Sequence, residues 1–183
     1  MYLMNFSKYL KYLIYILRHK YFVFLECCKY NLYLTGLLHD LSKFSPSEFV
    51  AYANWFYGDR TSALDLHGDD RQMFLQCYGA KDPKLDFDMA WLHHQHNNRH
   101  HWQYYILKTD DNKPPFKFLP MPRKYIIEMV SDWRGAGMAI RGVDNTLEWY
   151  SERRDIILLE DNTRKQVEEL IGYTDEKVQQ AVG

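Results

Sequence analysis

The sequence predicts an all-α, single-domain bundle of about seven helices. Three observations carry this. Apolar residues recur at three- and four-residue intervals in one segment after another. Strand-like alternation is absent over any useful length. The one proline-dense stretch, residues 110–122, falls between helical segments, not inside one. A chain of 183 residues, 46% hydrophobic and 16% aromatic, can bury its own core. One domain is therefore expected over 1–183, with a metal-ligand core at about 19–134 and C-terminal helices at 144–183 packed on it.

Residues 5–17 and about 19–30 form one or two helices rich in Leu, Ile, Tyr and Phe. Lys8, Lys11, Arg18 and Lys20 interrupt the apolar run well short of the ~20 residues a membrane span needs. No small-residue cleavage site follows. A buried amphipathic helix is expected here, and no membrane partner. "LYLTGLLHDLSK", from Leu32 to Lys43, reads as the next helix. Ser45 caps a third, with Pro46 at the first helical position and Glu48 three residues after the cap. Residues 58–68 read as a loop or short turn. "DDRQMFLQCYG" reads as a short helix after Gly68, and His67 as a loop residue. "DFDMAWLHHQHNN" is another helix, with acidic residues in its first turn where the helix dipole favours them.

The prolines of "DDNKPPFKFLPMP" exclude a helix or a central strand. "PRKYIIEMVSDWRGAGMAIR" then runs as a long helix. Ile126, Val130, Trp133, Gly137 and Ile140 define its core face. "TLEWYSERRDIILL" and "NTRKQVEELIGY" supply the last two, with opposite charges at helical spacing.

Charge and cysteine content narrow the partners. The net charge of -1 offers no global basic field, so nucleic-acid binding is not expected. Arg99, Lys108, Lys113, Lys117, Arg123 and Lys124 read as a solvated loop face. Cys27, Cys28 and Cys77 are an odd set with no CxxC pair. They fit a reducing cytoplasm better than a disulfide framework or a Cys-based zinc site. A homo-oligomer is compatible with the composition.

The chemistry concentrates in histidine and aspartate. "WLHHQHNNRHH", residues 91–101, holds five of the eight histidines. In a continued helix His93, His96, Asn97 and His100 would share one face, and His94, Asn98 and His101 another. The Asn97-Asn98 pair is a weak helix former and can end the helix. His39 and Asp40 are adjacent near the end of an apolar helix, where an aspartate is costly unless paired or ligating. A helix pair turning around residues 28–31 would set His19 level with His39. Asp132 borders the core of the long helix, with Glu128 one turn earlier on nearly the same face. Gly135, Ala136 and Ala139 leave space beside it. Histidine and aspartate ligands suit Mn, Fe, Zn, Co or Ni rather than Mg alone.

His19, His39-Asp40 and Asp132 in this order resemble the H…HD…D signature of the HD-domain superfamily of metal-dependent phosphohydrolases. "HDLSK" is similar to the HDxGK of members that also carry a GYP motif, where the lysine contacts phosphate. The interval before the last aspartate holds further histidines, as in those members. Residues His94, Asn98, His100, His101 and Trp102 match the H-x-x-x-N-x-H-H-W pattern of small phage and bacterial HD-like proteins of unassigned activity. The chain departs from the pattern in three ways: its histidine block is denser, it has no GYP sequence, and its first spacing is short.

The resemblance implies an all-helical enzyme with one or two divalent transition-metal ions. The metal ligands would be His19, His39, Asp40, His94, His100 and Asp132. Asp40 and Lys43 would serve catalysis. His101, Asn98 and Arg134 would meet substrate, with His93 in place of His101 as an alternative and Arg99 a further phosphate contact. His96 would stay exposed. Aromatic side chains near the pocket would stack a base, so a small phosphorylated substrate, a nucleotide, is expected. Two rivals stand beside this reading: an HD-like nucleotide- or metal-binding protein without turnover, and a helical partner-binding protein whose histidines are incidental.

Overall fold

The structure is a computed structural model that describes residues 2–58, 68–70, 72–73, 82–110 and 114–174, with side chains from residue 7 onward. It is mostly helical, as the sequence predicts. His67, Cys77 and most of the short helix expected after Gly68 lie outside the described residues. The helices are α1 (Tyr2–Cys28), α2 (Tyr33–Leu38), α3 (Pro46–Tyr57), α4 (Pro83–Asn97), α5 (Arg123–Arg141), α6 (Thr146–Arg153) and α7 (Asp161–Ile171). Two 3₁₀ turns, Leu41–Phe44 and Trp102–Tyr105, and two short strands complete them. The chain divides into two compact units, each assembled from separated segments. The first is Met1–Leu17 with Asp40–His94, and the second is Arg18–His39 with Gln95–Gly183.

In the first unit, α1, α3 and α4 enclose an aromatic core. Tyr12, Ile16, Ala51, Tyr52, Ala53 and Ala90 are buried, with Tyr9, Phe49, Phe87 and Trp91 packed around them. The Tyr12 ring meets Phe49 edge-on at 5.1 Å, and Tyr52 meets Phe87 at 5.3 Å. Small alanines beside large rings let the three helices interdigitate. Burial pushes the Tyr12 and Tyr52 hydroxyls above their ordinary range, so both remain neutral.

Ser45 caps α3 as expected: its Oγ accepts from the Glu48 backbone N–H at 3.4 Å, with Pro46 next in line. The Glu48 side chain does not close a capping box. It is fully buried and turns to Ser42 and two histidines.

The N-terminal segment is one continuous helix rather than two. It is not wholly buried. Tyr12, Ile16, His19, Val23 and Cys27 face inward. Leu10, Ile14, Leu17, Tyr21 and Leu25 recur at the same helical spacing and are between 41% and 58% exposed. The sequence shows apolar residues on every side of this helix, so it cannot say which side finds a partner.

In the second unit α5 is the central helix, buried on two opposite faces. Ile126, Met129 and Val130 enter a core with Tyr105, Met121, Tyr150, Ile157, Leu159 and Val167. Glu128, Ser131, Gly135 and Ala139 are buried on the other side. The expected core face holds at Ile126, Val130 and Gly137, but Ile140 is 67% exposed. It sits in the last turn before Gly142, whose φ of 78° ends the helix.

The helix expected over 146–159 stops at Arg153. The chain beyond it feeds Ile157 and Leu159 into the core, and the Arg164 guanidinium donates to the carbonyls of Arg154 (3.2 Å) and Ile157 (2.6 Å). Tertiary burial and one arginine replace the helical hydrogen bonds.

A small two-stranded ribbon accompanies the helices. β1 (Ile106–Lys108) and β2 (Phe116–Phe118) pair antiparallel, Ile106 opposite Phe118 and Lys108 opposite Phe116. Strands of three residues are too short to show alternation. The prolines before β2 are compatible with it because, among the described residues, each strand pairs only with the other.

Thr163 ties this unit together. It is 1% exposed, accepts from the Met121 backbone N–H at 3.1 Å and donates to Glu160 at 3.0 Å. Thr163→Val keeps the volume but strands a buried N–H. A stability loss of about 1–3 kcal/mol is expected in urea unfolding.

Candidate metal centre

The second unit brings His19, His39 and Asp132 together, from α1, the end of α2 and α5. α1 ends at a turn in which Asn31 has a positive φ of 59°, and the chain reverses into α2. Gly36 makes the return tight: a β-carbon there would stand 2.8 Å from Cys27 Cβ and 3.0 Å from the Phe24 backbone. Lys20 Nζ then donates to the carbonyls of Leu37 and His39, both at 2.6 Å. A cation satisfies the C-terminal end of α2 where the dipole favours it. The rings of His19 and His39 lie 5.6 Å apart, so the antiparallel turn does set them level.

The helix expected through Lys43 breaks at the histidine-aspartate pair. His39 is extended (φ -51°, ψ 131°) and Asp40 is left-handed (φ 52°, ψ 32°). Aspartate tolerates that conformation better than most residues.

His19 and His39 are 2% and 1% exposed. His19 Nε2 lies 2.9 Å from Asp132 Oδ1, and His39 Nε2 lies 3.3 Å from the same oxygen. Burial would raise the Asp132 pKa, but hydrogen bonds and charge from His19 and His39 outweigh it and hold the carboxyl well below its usual range. On the far side of the His39 ring, Nδ1 meets Glu128 Oε1 at 3.2 Å. The same oxygen lies 3.4 Å from His100 Nδ1, and the His39 and His100 rings are 4.5 Å apart. Burial likewise raises the Glu128 pKa, and His100 and then His39 bring it below the ordinary value. The His39 ring thus stands between two carboxylates, with Nδ1 toward Glu128 and Nε2 toward Asp132.

These distances fit a metal ion. Donor atoms ~2.1 Å from one ion stand about 3.0 Å apart at right angles and about 3.4 Å apart in a tetrahedron. The His–Asp132 contacts lie at or near both values, and one donor atom from each of His19, His39 and Asp132 falls within 4.8 Å of the others. His39, His100 and Glu128 form a second such group. The donor set is nitrogen and oxygen only.

The first unit holds its own buried group. Asp40 is 4% exposed, with Oδ2 paired to Lys43 Nζ and Oδ1 3.3 Å from His94 Nε2. His94 is fully buried, stacked on Trp91 at 5.7 Å with Tyr52 edge-on at 6.3 Å. Its Nδ1 meets Glu48 Oε2 at 2.8 Å and Ser42 Oγ at 3.1 Å. Glu48 Oε1 meets Nδ1 of the half-exposed His93 at 3.0 Å.

The block 91–101 is thereby resolved. α4 ends at Asn97, where the asparagine pair was expected to end it. His94, His100 and His101 are buried, and His96 is exposed as expected. His101 precedes the second 3₁₀ turn, with its ring 4.3 Å from that of His100. Asn98 is half-buried, and its carbonyl accepts from the His101 N–H. Arg134 donates to Glu26 (3.4 Å) and to the Leu170 carbonyl (2.8 Å), and its Nε lies 3.5 Å from Asp144. Its guanidinium is thus committed to holding helices. Arg99 is exposed over the rings of Tyr104 and Tyr125.

Sequence reasoning missed two carboxylates. Glu128 was visible as the residue one turn before Asp132 on the same face. Glu48 was hidden, because its spacing from Ser45 reads as a capping box.

Fold and side chains together define a helical protein with buried histidine-carboxylate groups that could hold a metal ion. Among the described residues no helix is long and apolar enough to cross a membrane. The chain matches DUF5662, a family of unknown function, over residues 8–173, and it belongs to that family. No curated protein and no solved structure matches it.

Proposed function

We propose that this protein is a metal-dependent phosphohydrolase acting on a nucleotide or a related phosphoester. The observation that carries the reading is the convergence of His19, His39 and Asp132 at metal-edge distances, with His39 oriented from behind by Glu128. A divalent ion bound there supplies Lewis acidity and lowers the pKa of a coordinated water toward neutrality. The chain's own part is to hold the donors rigid and dry. His19 and His39 present ring nitrogens, Asp132 stays ionised, and Glu128 fixes the His39 tautomer.

The likeness to HD phosphohydrolases adds Asp40, His94 and His100 as ligands, and Lys43 as the cation that meets phosphate charge. It also adds His101 and Asn98 on the substrate side. Those assignments rest on the order of the motifs along the chain.

The test is elemental analysis of untagged protein, with phosphate release from nucleotide monoesters and cyclic nucleotides measured in Mn. Stoichiometric Mn, Fe, Co, Ni or Zn is expected, with turnover that Asp40→Ala abolishes. Metal without turnover would leave a binding protein in place of an enzyme. Protein that holds no metal, with Asp40→Ala equal to wild type, would end the reading.

A further inference from the structure

Glu48 is a carboxylate with no exposed surface, placed in the first turn of α3. Burying a carboxylate is costly unless hydrogen bonds satisfy it. The bonds found here come from Ser42, His93 and His94. The carboxylate divides its oxygens: Oε2 takes His94 Nδ1 at 2.8 Å and Ser42 Oγ at 3.0 Å, and Oε1 takes His93 Nδ1 at 3.0 Å. His93 is half-exposed at the rim of a groove of about 380 Å³, which Glu48, Ser47, Asn54, Asp86 and Met89 also line. The buried ring and the surface ring thus share one anchor.

The arrangement dictates a tautomer. An ionised carboxylate accepts only, so the His94 nitrogen it meets carries the proton. The other nitrogen, Nε2, faces Asp40 Oδ1 at the longer distance of 3.3 Å, and Asp40 is already paired to Lys43, so the shorter contact to Glu48 holds the proton on Nδ1. Two aromatic walls, Trp91 and Tyr52, keep the His94 ring from turning away.

We propose that Glu48 is the positioning residue for His94. It holds the ring in the Nδ1–H tautomer, so that Nε2 is the nitrogen offered to a divalent metal. The inference deepens the proposed function and rests on it for the metal alone. The tautomer can be read without any ion. A carboxylate behind a ligating histidine raises ligand basicity, and its loss commonly costs 10- to 100-fold in metal affinity.

The test uses the full chain with ¹⁵N-labelled histidine. Long-range ¹H–¹⁵N spectra of metal-free wild type above pH 7.5 are expected to show His94 with Nδ1 protonated and Nε2 bare. In Glu48→Gln the Nε2–H form should gain population, while circular dichroism stays helical. Titration with Mn or Zn should then show about 10- to 100-fold weaker binding by Glu48→Gln. Asp86→Asn, which alters the same groove without touching Glu48, should match wild type in both. A wild-type His94 found in the Nε2–H form would overturn the proposal, as would Glu48→Gln with unchanged tautomer and metal affinity. Wild type that binds no metal but shows the Nδ1–H tautomer would instead refute the phosphohydrolase reading and leave the positioning role standing.

Discussion

Asp132→Asn is expected, on the proposed function, to abolish metal binding and turnover while leaving a folded chain. Asparagine keeps the shape of aspartate but supplies no charge and only one acceptor oxygen. His19 Nε2 and His39 Nε2 both converge on Oδ1, at 2.9 and 3.3 Å, so a single atom organises both rings. The native carboxyl is held well below its usual pKa, so Asp132 is ionised in the folded site. Removing that charge takes away the anionic donor on which both rings converge. Metal affinity should fall by at least about 100-fold, at the upper end of what even outer-shell partners cost. Thermal unfolding should shift by only the ~1–3 kcal/mol of disturbed buried hydrogen bonds. Metal content by elemental analysis and melting by circular dichroism separate the two effects. Asp132→Asn protein that retains wild-type metal would remove Asp132 from the ligand set.

Gly135→Ala tests whether helix packing sets the ligand distances. Gly135 lies one turn after Asp132 on α5, against α1. A β-carbon there would stand 2.5 Å from Val23 Cγ2, 3.0 Å from the Val23 backbone nitrogen and 3.4 Å from the His19 carbonyl. The valine methyl can rotate, but the α1 backbone cannot yield without moving His19. Alanine gains about 0.5–1 kcal/mol of helix preference over glycine. Overpacking costs typically 1–3 kcal/mol, so the net change is expected to be destabilising by about 1–2 kcal/mol. The His19–Asp132 contact should lengthen, and metal affinity should drop about tenfold. Urea midpoints and metal titration report the two terms. A more stable variant with unchanged metal binding would show that the close approach is incidental.

Both predictions concern contacts between residues remote from one another in the chain. The sequence marks the His39-Asp40 pair because an aspartate is costly in an apolar helix, and it marks His19 and Asp132 by their order and spacing around that pair. It also marks the turn around 28–31 that levels His19 with His39. It does not mark the break at Asp40, where one left-handed residue replaces a helix through Lys43. Periodicity averages over many residues, and a single backbone rotation leaves no trace in it.

Glu48 shows the same limit from the other side. Its spacing from Ser45 satisfies a local rule, and only the folded chain shows that its carboxylate serves His94 instead. Ile140 obeys the helical period of α5 yet faces solvent, because the period says which residues share a face and not how far the neighbouring elements extend.

The sequence by itself determined the helical class, the positions of most helices and the ligand-type residues. These follow from local causes: side-chain spacing, proline and glycine chemistry, and the cost of burying a charge. Only the tertiary structure decided which nitrogen of each histidine faces a carboxylate, which glutamates stand behind the rings, and which face of α1 is left in water. Those depend on distances between segments remote in the chain. Such distances are set by packing, to which every neighbour contributes and which no local pattern encodes.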